Sequence, residues 1–134
     1  MNDAASSNEQ LIPEIDRDFL REKEYDFLII PESGTTHLVI KNFSFPEPYN
    51  PRVADILIII PAGYPNAALD MFWTRPDVKL VNGSWPTAAD QPAVFRNETW
   101  QRWSRHFTHA PWRPGVDNVR TFLAVIKKDL EKGI

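Results

Sequence analysis

Between positions 100 and 115 the chain carries Ser104, His106 and His109 with Arg102, Arg105 and Arg113, interleaved with Trp100, Trp103 and Trp112. A serine hydroxyl becomes a nucleophile when an imidazole removes its proton, so Ser104 with His106 or His109 is a candidate acyl acceptor and base. The bland alternative for Ser104 is a polar turn residue. His106 and His109 stand three apart and could share a helical face. His37 is the sole further imidazole and no carboxylate sits at diagnostic spacing, so no metal site and no cofactor are expected. Arginine pairs with carboxylates in a two-pronged fork, which makes Arg102, Arg105 and Arg113 candidates to grip a partner; cation–π stacking on the neighbouring Trp rings is the alternative.

Cysteine is absent from all 134 residues. That removes disulfides, thiolate-bound zinc and any acyl-thioester formed on this chain. Fifteen Lys and Arg against eighteen Asp and Glu leave a formal charge of -3, which argues against a nucleic-acid or anionic-membrane partner. The first ten residues lack the basic-then-apolar layout of a signal peptide, and the longest apolar run, residues 56–62, is too short to span a bilayer. The expected location is the cytoplasm.

A hydrophobic fraction of 43% with 25% charged residues is that of an ordinary globular chain, and this length suits one core. Residues 1–11 read as a loose tail and 12–134 as one domain. Ile12, Ile15, Phe19 and Leu20 recur at helical steps, giving a short amphipathic helix over 12–24. Residues 25–31 and 35–43 read as a hairpin about the Glu32-Ser33-Gly34 turn. Three Pro between positions 45 and 51 break any ladder there.

Residues 53–60 read as a central strand, because Ile56-Leu57-Ile58-Ile59-Ile60 does not alternate and must be covered on both faces. Residues 71–74 make a fourth strand, Asn82-Gly83 a tight turn and residues 84–92 a surface loop. Trp100 and Trp103, at helical spacing, would pack beneath the last element. There Val116, Val119, Phe122, Leu123, Ile126 and Leu130 trace a helical stripe, with Asp117 or Asn118 placed to cap it. The expected fold class is α+β, a four-stranded antiparallel meander with flanking helices.

This order of pieces resembles the ubiquitin-conjugating enzyme (E2, UBC-like) fold. The resemblance rests on Pro61-Ala62-Gly63-Tyr64-Pro65 for the family's Tyr-Pro turn, Phe72-Trp73-Thr74 for its Phe-x-Thr strand, Arg75-Pro76-Asp77-Val78 for its His-Pro-Asn motif and Trp112-Arg113-Pro114 for its Trp-Ser-Pro. Asp70-Met71-Phe72-Trp73, Asn82-Gly83, Trp103-Ser104-Arg105-His106 and Pro114-Gly115 narrow it to prokaryotic E2 family E. Tyr64, Pro65, Pro76, Asp77, Trp112 and Pro114 are thereby implied to be structural motif residues.

The resemblance implies a bacterial ubiquitin-like system. Its expected partners are a ubiquitin-like or tandem ubiquitin-like protein, an E1-like adenylating enzyme and a JAB-type metalloprotease encoded alongside. The family's catalytic Cys has no counterpart here, and Asp77 replaces the supporting Asn. Counting back from Trp112, the Cys position falls on Ser104; counting forward from Asp77, it falls near Pro86.

Three functional readings follow. The first is a cysteine-less E2-like protein that binds and positions a partner through Arg102, Trp103, Arg105 and His109. The second is a transferase using Ser104 or His106 as acyl acceptor. The third is a small-ligand or carbohydrate module built on the Trp cluster.

Overall fold

The computed structural model describes residues 8–107 and 111–134. Helix α1 (Glu14–Glu22) starts after Pro13 with Glu14 and Asp16 in the first turn, where the helix dipole favours acids. It buries Leu20 and Asp16. Just before it, Ile12 is already buried.

Eight strands follow in chain order: β1 (Phe27–Glu32), β2 (Thr35–Ser44), β3 (Tyr49–Asn50), β4 (Val53–Pro61), β5 (Phe72–Arg75), β6 (Lys79–Leu80), β7 (Gln91–Phe95) and β8 (Glu98–Trp103). The chain then closes on α2 (Val119–Leu130). Asn118 caps α2 by accepting from the Thr121 N–H while the Thr121 hydroxyl accepts from the Asn118 N–H, so two otherwise unpaired donors are satisfied reciprocally.

The expected α+β meander is present as β1-β2-β4-β5, all antiparallel. The sheet continues beyond it, in the order β1-β2-β4-β5-β8-β7. Two expectations need correction here. Residues 84–92 were expected to be a loop, yet Gln91 and Pro92 begin β7, where Pro92 sits on an edge strand that tolerates a missing N–H. The Pro-rich 45–51 segment does not abolish pairing either, since Tyr49 and Asn50 form a two-residue ribbon with Leu80 and Lys79.

Alternation along the strands builds two apolar layers. Leu38, Ile40, Ile56, Ile58, Phe72 and Trp103 point toward the helices and meet Leu20, Val119, Phe122, Leu123, Ile126 and Leu130. The intervening Val39, Leu57, Trp73 and Trp100 point the other way and form a second, smaller cluster. β4 is covered on both faces as its unbroken apolar run requires: Ile56, Leu57 and Ile58 are all fully buried.

Trp100 and Trp103 do not stack under a helix. They lie on a strand, where a three-residue step lands on opposite faces, so each Trp serves a different layer. No helix among the described residues is long and apolar enough to cross a membrane.

Candidate functional site

Gln101 organises the end of β8. Its side-chain amide, 2% exposed, accepts from the Thr74 hydroxyl at 2.8 Å and the Val78 N–H at 2.6 Å, and donates to the carbonyls of Val78 at 2.8 Å and Ala89 at 2.9 Å. It thus imitates a strand's peptide group and ties the 78 and 89 segments to the sheet. Trp103 beside it is fully buried, stacks on Phe72 with centroids 5.0 Å apart and donates from Nε1 to the Thr74 hydroxyl.

Past Trp103 the chain leaves the sheet alongside the 86–89 turn. The Ser104 N–H donates to the Ala88 carbonyl at 2.8 Å, while the Ala89 N–H donates back to the Pro86 carbonyl. Ser104, one of the two counts for the missing Cys, is thus bonded to the turn that Pro86, the other, begins. Pro86 itself is buried and Ser104 is partly exposed.

Arg105 turns inward instead of outward. Its guanidinium is 8% exposed, donates to the Thr87 carbonyl, the Asp129 carboxylate and the Ile134 carbonyl, and lies 4.8 Å from the Trp103 ring centroid. The side chain expected to grip a partner instead ties β8 to the end of α2. Trp103, also placed on the expected recognition surface, belongs to the core. Arg102 is partly exposed on the opposite sheet face, with its Nε buried. His109 lies outside the described residues.

His106 is the candidate that reaches the surface, 56% exposed at the side chain. Its Nδ1 lies 2.9 Å from Asp70 Oδ2. A carboxylate accepts, so Nδ1 carries the hydrogen of this contact and Nε2 is the nitrogen left for a ligand. Asp70 was not singled out from the sequence; it lies 36 residues away and no spacing signal connects the two.

His106 and Asp70 sit on the rim of a cleft of about 830 Å³. Leu69, Phe107, Trp112, Phe122 and Val125 supply apolar walls, and Arg113, Asp117 and Thr121 supply polar edges. The Phe107 and Phe122 rings meet edge to face at 6.0 Å. Arg113 donates to Asp117, which holds the Asp117 carboxyl below its ordinary range. Volume and lining are those of a site for an apolar group with a few polar contacts at its edge.

The motif residues brace this cleft from behind. Trp112 donates from Nε1 to the Pro65 carbonyl at 2.8 Å and packs on Tyr64 at 6.2 Å. The Tyr64 hydroxyl donates to Asp16 at 2.6 Å and accepts from the Val119 N–H at 3.1 Å, joining the Tyr-Pro turn to both helices. Burial raises Asp16 above the usual carboxylate range; burial and the Asp16 charge push the Tyr64 hydroxyl well above its own. Pro114 is an exposed residue of the turn between Trp112 and α2.

Pro76 and Asp77 lie elsewhere, in a polar depression with Arg75, Asn97 and Glu98 at the opposite end of β5 and β8 from His106. The motif position implied to support catalysis does not share the His106 cleft.

A family model described as prokaryotic E2 family E matches residues 12–133. The chain belongs to that family. The match spans α1, α2 and strands β1 to β8, so the α+β architecture of the described residues is E2-like. Comparison with curated proteins and with solved structures gave no match. This member of prokaryotic E2 family E lacks the thiol on which E2 acyl transfer depends. A sugar-binding Trp platform needs exposed ring faces; Trp100 and Trp103 are 3% and 0% exposed and offer none, which leaves Trp112, half-buried in the cleft wall, as the member of the cluster that reaches a concave surface.

Proposed function

We propose that this E2 family E protein works without thioester chemistry, binding a ubiquitin-like domain or an E1-like partner and positioning it over the cleft beside α2. A thiolate accepts and releases acyl groups readily near neutral pH; a serine hydroxyl does neither without an aligned base. The observation that carries the proposal is the cleft itself: the chain holds no thiol, and past Ser104, at His106 and Phe107, the surface opens into an apolar-walled cleft of about 830 Å³. The system served would be a bacterial ubiquitin-like pathway with the adenylating enzyme and JAB-type protease expected from the resemblance.

A second reading is favoured by one contact. The Asp70–His106 pair presents an oriented imidazole Nε2 that could take an acyl group, or could deprotonate Ser104.

One incubation separates the two. The protein is mixed with the E1-like enzyme, ATP and the ubiquitin-like protein, and products are resolved with and without reductant and hydroxylamine. Stable association without a covalent adduct supports the binding reading. A reductant-resistant, hydroxylamine-sensitive adduct, lost in Ser104→Ala or His106→Ala, establishes the acyl-acceptor reading instead. Neither adduct nor association overturns both.

A further inference from the structure

The β7–β8 turn folds back over the second apolar layer and is held there by a titratable side chain. Phe95 pairs with Glu98, which leaves Arg96 and Asn97 as a two-residue loop with φ of +50° and +63°. The curl of the sheet carries this tip across to β2 and β1, four and five strands away in sheet order. There the Phe95 ring meets His37 edge to face at 5.2 Å and Trp73 at 5.9 Å, and Arg96 pairs with Glu32 at 2.9 Å.

We propose that His37 and Arg96 form a proton-sensitive latch, which keeps the β7–β8 turn closed over Trp73 when His37 is neutral and releases it on mild acidification. Arg96 Nη1 lies 2.7 Å from His37 Nδ1. Guanidinium only donates, so Nδ1 must be the acceptor and the ring must be neutral in this contact. A proton on Nδ1 removes the acceptor and sets two cations face to face in a site where His37 is 4% exposed.

The surroundings offer little relief. β1 and β4 present Ile30 and Ile59 at the paired positions, and the charged groups facing the ring are Arg96 from the turn and Glu32 from β1. Burial and Arg96 outweigh Glu32 and hold the imidazole below its ordinary 6.5. Opening the turn gives His37 back to water and separates it from Arg96. The open form therefore binds the proton more tightly, and acid favours it.

The test is amide exchange of β7 and β8 between pH 7.5 and 5, corrected for intrinsic rates, together with NMR titration of the His37 ring. Below pH 6.5 opening at Phe95 should rise by about tenfold per pH unit until His37 is protonated in the closed form. His37→Phe, which keeps the ring packing but cannot titrate, should abolish the rise. Arg96→Gln should move the His37 midpoint upward, because the opposing cation is gone. The proposal is overturned if the rise persists in His37→Phe, which would assign it to another group, or if His37 titrates while Phe95 exchange stays level.

Discussion

Asp70 Oδ2 lies 2.9 Å from Nδ1 of His106, joining the segment before β5 to the segment after β8 at the mouth of the apolar cleft. The pair is half exposed on both sides, so its worth to folding is small. Its effect is on orientation: it sets which imidazole nitrogen meets whatever enters the cleft.

If the pair acts as one unit, His106→Ala and Asp70→Ala should each weaken binding of the proposed ubiquitin-like partner by about 1 kcal/mol. The double variant should then lose little more, because the second truncation removes a contact already gone. Isothermal titration calorimetry of the three variants measures this, and fully additive losses would show that the two residues act separately.

Gln101→Leu should cost about 3 kcal/mol or more in urea unfolding. It strips the partners from the Val78 N–H and C=O and the Ala89 C=O in a buried setting, where each orphaned group costs about 1–3 kcal/mol. A loss below about 1 kcal/mol would mean that these groups find other partners.

Arg105→Ala and Ser104→Ala should separate sharply although they are neighbours. Arg105 and Asp129 are 8% and 12% exposed; Arg105→Ala leaves Asp129 with Lys132 alone and strips the Thr87 and Ile134 carbonyls of a donor, costing about 3 kcal/mol. Ser104→Ala keeps the backbone bond to Ala88 and should change stability by no more than about 0.5 kcal/mol. Thermal unfolding of the two variants reads this directly, and it makes Ser104→Ala, unlike Arg105→Ala, a clean probe of chemistry.

Asp16 gives a pH signature of known sign. Its folded-state pKa lies above the unfolded 3.8, so between these values the native state binds more protons than the unfolded one. Its contribution to stability is therefore full below pH 3.8, falls as pH rises through the folded value and is level above it. Asp16→Asn should remove that fall, so the difference between wild type and variant plotted against pH reveals it. Identical curves would show that the carboxyl is not perturbed.

Much of the fold is legible in local spacing. The α2 stripe at helical steps, the unbroken run of β4 and the Gly34 and Asn82-Gly83 turns each carry their own signal, because helix and strand periods and left-handed turn residues act over a few positions. The family and the absence of a thiol were legible too, the first from motif order and the second from composition.

The β7–β8 hairpin was not. Pro92 reads as a breaker, and its turn, Arg96-Asn97, carries no Gly to announce the positive φ at both positions. Once that segment is a strand, the Trp residues divide between two layers, and the cluster that looked like one recognition surface becomes two cores.

The site shows the same division. Residue types between 100 and 115 marked the region, but nothing local distinguishes Arg105 from His106. Tertiary contacts do: Asp129 and Ile134 from the C-terminal end draw Arg105 inward, while Asp70, from before β5, meets His106 at the surface. Those partners are 24 or more residues away, and it is sheet order and the docking of α2, not sequence spacing, that bring them together.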